Sequence, residues 1–93
     1  MAVGIRITLA GVDAETFDRA HDHINPDRSP PNGLIFHTSG PVDGGWGIVD
    51  VWESRADFDA FAGQIQAGMA AAGVELAGPP QIDEFEVHEY ITS

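Results

Sequence analysis

The chain contains no cysteine and no lysine. Without cysteine there are no disulfides, no thiolate metal sites and no thiol nucleophile. Only four basic residues, Arg6, Arg19, Arg28 and Arg55, stand against fifteen acids, for a formal net charge of -11. Such a field repels phosphate backbones and anionic lipid, so neither nucleic acid nor a membrane surface is an expected partner. The acidity reads as a solubility trait and does not by itself point to a cationic ligand. No apolar run approaches membrane-spanning length, and a strand pattern begins at once without a signal-peptide core, which predicts a cytoplasmic protein. The glycine-rich stretch Asp43-Gly44-Gly45-Trp46-Gly47 leads into a strand rather than a helix, so it is no phosphate cradle. No serine sits in a nucleophile-elbow context. His21 and His23 are two residues apart on a predicted helix, whereas helical metal ligands need a spacing of four. No metal is predicted.

What is present suits one folded domain over residues 1–93: 43% hydrophobic and 20% charged residues, with room for a single modest core. Residues 2–9 alternate, with Val3, Ile5, Ile7 and Leu9 on one side and Gly4, Arg6 and Thr8 on the other. Asp13 caps a helix over 14–24 with an apolar stripe at Phe17, Ala20, His21 and Ile24. A turn-rich loop over 25–33, stiffened by Pro30 and Pro31, is too polar to bury. A short strand follows over 34–39, then a loop over 40–45 and a strand over 46–53. Ser54 caps a second helix over 55–72, with a stripe at Phe58, Phe61, Ile65, Met69 and Ala72 and Gly73 as its stop. A last strand is expected over 81–91, with Phe85, Val87 and Ile91 opposing Glu84, Glu86, His88 and Tyr90.

The order is βαββαβ, a ferredoxin-like α+β arrangement with two helices on one face of a four-stranded antiparallel sheet. The second and third strands are apolar on both faces: Leu34 and Phe36 against Ile35, and Val49 and Val51 against Trp46, Ile48 and Trp52. Two helices cover only one face. A second copy of the sheet is the economical cover for the other, so a homodimer through that face is expected.

The βαββαβ order, the strand end Trp52-Glu53-Ser54 and the helix start Asp57-Phe58-Asp59-Ala60-Phe61 together resemble the dimeric α+β barrel superfamily. Within it the chain is similar to antibiotic-biosynthesis-monooxygenase-like proteins. That resemblance implies a ligand pocket in each subunit, between sheet and helices. It also implies chemistry drawn from cofactor-free oxygenases of polycyclic phenols, haem-degrading oxygenases, and isomerases or cyclases. By position, Trp52 matches a strand-end aromatic of the oxygenase pocket and Phe58 a helix aromatic beside it. The chain departs from the pattern twice. Ile48 stands where the oxygenases carry a polar amide, and the second helix lacks the histidine of the haem-degrading group. No cofactor is therefore expected.

Among residues that carry chemistry, Asp50 is the most unusual, lying between Ile48 and Trp52 on its own strand face, where a carboxylate is costly unless paired. Two partners are open. His37, on the neighbouring strand, would form a dyad in which the carboxylate orients the ring for acid/base work. Arg6, on the first strand, would form a structural ion pair. His21 points toward the sheet as a packing residue or a pocket wall. Glu84, Glu86 and His88 read as a solvated edge or a polar seam between subunits.

Two functions follow. One is a small cofactor-independent enzyme acting on an aromatic or polyketide-like molecule, monooxygenase-like or isomerase/cyclase-like. In it His37 and Asp50 are catalytic, and Trp52, Phe58, His21, Ile48 and Phe61 bind substrate. The other is a non-catalytic dimeric binding or structural module whose interior polar residues are salt-bridged.

Overall fold

Alternation along the first strand has a direct packing consequence. In β1, Val3–Ala10, residues Ile5, Ile7 and Leu9 are buried while Arg6 remains in solvent. The computed structural model describes residues 2–27 and 29–91 of the chain. Its elements run β1, α1 (Ala14–Ile24), β2 (Leu34–Val42), β3 (Gly45–Trp52), α2 (Arg55–Ala71) and β4 (Gln81–Glu86). The strands form one antiparallel sheet in the order β2-β3-β1-β4, and the sequence is the expected βαββαβ. This is the ferredoxin-like α+β architecture.

The register sorts the sheet residues into two faces. Rows across the helix-covered face run His37, Asp50, Ile5, Glu84 and Ser39, Ile48, Ile7, Ile82. Rows across the outer face run Phe36, Val51, Gly4, Phe85 and Thr38, Val49, Arg6, Asp83. Trp52 and Ile5 are the most deeply buried large side chains. Each contributes about 1.5–3 kcal/mol by leaving water. Phe17, Phe61 and Leu76 pack against that centre from the helices and the connection before β4. On the outer face Phe85 lies over Gly4, where a Cβ would collide with the ring. A glycine is what lets that aromatic lie flat on the strand.

Both helices start where the capping residues stand. Asp13 accepts from Thr16 N at 2.8 Å and Ser54 from Asp57 N at 3.2 Å. The end of α2 is a Schellman closure: Gly73, at φ 71°, donates to Ala70 O and Val74 donates to Met69 O.

Two sequence expectations are corrected here, and one open alternative is decided. The second strand does not stop at Ser39. It continues to Val42, and the expected loop over 40–45 shrinks to the tight turn Asp43-Gly44, with Gly44 at φ 78°. Pro41 lies within β2, an edge strand, where proline's missing N–H costs little. The last strand ends at Glu86 instead of Ile91, although Val87 remains buried and donates to Ala2 O at 3.0 Å. Of the two partners open to Asp50, Arg6 is not the one it meets. Arg6 pairs in register with Val49, on the outer face, and its guanidinium lies 3.5 Å from Asp83. Among the described residues, no helix is long and apolar enough to cross a membrane.

Candidate functional site

Strand parity brings the site together. His37 and Asp50 are direct register partners on β2 and β3, so their side chains leave the sheet on the same side, toward the helices. His37 Nδ1 lies 2.5 Å from Asp50 Oδ1. Asp50 Oδ2 accepts from Trp52 Nε1 at 3.2 Å, two residues along the same strand face. The carboxylate side chain is 6% exposed and the imidazole 34%. With both carboxylate oxygens accepting, the Nδ1 position of His37 carries the proton, which leaves Nε2 as the acceptor of the ring. Among the described residues no other hydrogen bond is made by His37.

Above this trio, between the sheet and the two helices, is a cavity of about 330 Å³. Its walls are almost entirely apolar: Ile7, Leu9 and Ile48 from the sheet, Phe17, Ala20 and Ile24 from α1, and Phe61, Ile65 and Met69 from α2. Polar atoms enter at two places. One is the His37–Asp50 pair with Trp52 beside it, and the other is a set formed by Thr16, His21, Asn25 and Ser29. An apolar cavity of this size with a few convergent polar groups is the usual form of a small-molecule site.

Aromatic rings line up along one wall. Trp46 stacks on Phe17 at 5.1 Å, Phe17 is 5.4 Å from His21, and His21 is 6.3 Å from His37. Trp52 meets Phe61 at 5.6 Å and Phe58 edge-on at 5.9 Å.

Of the residues singled out from sequence, His37, Asp50, Trp52, His21, Ile48 and Phe61 all line the cavity. Phe58 does not, which corrects its expected place as a pocket wall. It occupies the first turn of α2, is 4% exposed and packs on Trp52, with the Arg55 guanidinium over its ring at 5.7 Å from the centroid. The helix turns by about 300° over the three residues from 58 to 61, so Phe61 faces the cavity from a different angle than Phe58.

Sequence reading missed the loop after α1. Ser29, Pro30 and Pro31 form a cavity wall, although this segment looked too polar to contribute. Asn25 holds it in shape: Nδ2 donates to Ser29 O at 2.6 Å and Oδ1 accepts from Ser29 N at 3.2 Å. The available signal was the asparagine at the helix end followed by two prolines, a pattern for a rigid, closed loop.

Glu84 shares a register row with Asp50 and Ile5 but sits on the edge strand outside the cavity, ion-paired with Arg55. Among the described residues, no three histidine or acidic side chains converge on a metal-sized site.

No family model and no curated protein matches the sequence significantly. Solved structures do match the fold. A protein of unknown function from Nitrosomonas europaea has a TM-score of 0.73 at 21% identity, over 99% of this chain and 94% of that one. A candidate antibiotic biosynthesis monooxygenase from Caulobacter crescentus has a TM-score of 0.68 at 18% identity, over 95% and 91%. A MhuD variant holding two manganese protoporphyrin IX molecules per active site has a TM-score of 0.62 at 22% identity, over the full length of both chains. At these identities the likeness speaks for architecture and not for chemistry. The chain therefore has the ferredoxin-like α+β fold found in antibiotic-biosynthesis-monooxygenase-like proteins.

Proposed function

We propose that the protein is a small cofactor-independent enzyme acting on an aromatic or polyketide-like molecule held between the sheet and the helices. The single observation that carries this reading is the His37–Asp50 pair, oriented by Trp52 and set at the edge of a largely apolar cavity. His37 Nε2 is the base that takes a proton from a phenol or from a carbon next to a carbonyl. Asp50 holds the ring in one tautomer and orientation and balances the imidazolium that forms. Trp52, His21, Ile48 and Phe61 are the walls that exclude water and align the ligand. In a monooxygenase-like reaction the resulting carbanion or phenolate reacts directly with O₂. In an isomerase- or cyclase-like reaction the same base returns the proton to another atom.

A haem cofactor is not part of the proposal. The second helix carries no histidine. The porphyrin complex belongs to the MhuD relative in fold.

The enzyme is proposed to work as a homodimer through the outer sheet face. Phe36, Val49 and Phe85 are 42%, 43% and 60% exposed there, an apolar face that two helices on the other side leave uncovered.

The alternative, a non-catalytic dimeric binding or structural module, is favoured by a filled interior with Asp50 on Arg6. Arg6 instead belongs to the outer face. The deciding experiment is turnover of a panel of polycyclic phenols and 1,3-dicarbonyls by the protein and by His37→Ala. Loss of roughly 10²–10⁴ in rate with the fold retained, as read by circular dichroism, is the expected result. Equal turnover by the variant removes His37 from the mechanism.

A further inference from the structure

We infer that the cavity admits ligands that are uncharged on entry and carry one weakly acidic O–H or C–H group, and that it rejects carboxylates and phosphates. This rests on the reading of His37 and Asp50 as facing the ligand. The first argument is the distribution of positive charge. None of the described arginines lines the cavity, and each is committed elsewhere. Arg6 lies against Asp83 on the outer face, Arg19 donates to Ala72 O, and Arg55 is shared by Asp59 and Glu84.

The second argument is the charge already inside. Asp50 is 4% exposed and borders the cavity, so a carboxylate ligand enters beside a buried carboxylate. If His37 carries two protons, the pair is neutral; with one proton it is negative. In neither state is it a net cation. A like charge several ångströms away in a poorly screened site is strongly repelled, and the formal charge of -11 adds a long-range field of the same sign.

The third argument concerns the product of proton transfer. Once His37 takes the proton, the new anion finds no guanidinium or ammonium among the described lining residues. The described lining residues offer it two imidazoles, His37 and His21, so an anion that spreads its charge over the ligand itself is the one best accommodated. Naphthols, hydroxyquinones and 1,3-dicarbonyls form such delocalised anions, whereas a carboxylate brings its charge localised before any chemistry begins.

Isothermal titration of the intact protein with 2-naphthol and with 2-naphthoate tests this, since the two share a ring frame and differ in charge. At pH 8, where 2-naphthoate is charged and 2-naphthol is not, 2-naphthol is expected to bind at least about tenfold more tightly. Equal or tighter binding of 2-naphthoate overturns the inference and leaves the cavity as a ligand site. Absence of heat from both ligands up to about 1 mM, where affinity falls to roughly 4 kcal/mol, overturns the ligand-site reading itself. Asp50→Asn keeps the shape and removes the charge, so it is expected to narrow the preference at least about threefold. An unchanged preference in that variant overturns the assignment of selectivity to the buried carboxylate.

Discussion

Asp50 and Trp52, two residues apart on one face of β3, are joined by a hydrogen bond from the indole Nε1 to Oδ2 at 3.2 Å. The bond explains how a carboxylate is tolerated next to the core's most deeply buried large side chains. With His37 on the other oxygen, Asp50 is satisfied on both sides, and its rotamer is set by the strand rather than by a ligand.

Removing that carboxylate is expected to be costly. Asp50→Ala strips acceptors from the buried indole N–H and from His37 Nδ1, and leaves a gap beneath the cavity. Urea denaturation should show a loss of about 2–4 kcal/mol. Asp50→Asn keeps one acceptor and should lose less. Equal stability of the alanine variant would mean the pair contributes nothing to folding.

Trp52→Phe separates packing from hydrogen bonding. The ring remains large and apolar, but the donor to Asp50 is gone. A stability loss of about 1–3 kcal/mol is expected. The more telling readout is ¹⁵N NMR of His37. In the parent protein the Nδ1–H tautomer should dominate, and in the variant the population should shift toward Nε2–H as Asp50 becomes free to rotate. A tautomer ratio unmoved by the substitution would reduce Trp52 to a wall.

The uncovered sheet face predicts a weak point for assembly. Val49 is exposed in the middle of that face, in register with Arg6 on the side away from the helices. Val49→Asp should leave the melting profile of the subunit fold intact while native mass spectrometry shifts from two chains to one. A parent protein that runs as a monomer at micromolar concentration would refute the proposed homodimer.

Acid sensitivity is expected at the first helix cap. Hydrogen bonding from Thr16, with a smaller pull from Arg19, holds the Asp13 carboxyl below its ordinary 3.8. A carboxyl lowered by folding stabilises the folded state above its unfolded value, and that contribution fades as pH falls through the lowered value. Thermal melts from pH 6 down to pH 2.5 should therefore show a steeper decline below about pH 4 in the parent than in Asp13→Asn. Parallel profiles would assign the acid transition to other carboxyls.

Much of the architecture was legible along the chain because its signals are local. Asp13, Ser54 and Gly73 mark helix ends through hydrogen bonds made within a few residues. The alternation in β1 and β3 identifies their buried sides. Pro41 shows where local rules mislead: it signals a loop, and only its place on the edge of the sheet makes it acceptable in a strand.

The sequence by itself determined which side chains share a face of each strand, because side chains alternate with a period of two. Thus Trp46, Ile48, Asp50 and Trp52 were bound to travel together. It left undecided which face of one strand meets which face of the next. Tertiary structure settled that through register, aligning His37 with Asp50 and Arg6 with Val49. A one-residue slip reverses every side chain, so whether Asp50 has a histidine or an arginine for company depends on pairing across strands. The cavity wall from Ser29 to Pro31 has the same origin: it exists only once α1, the loop and the sheet are packed together.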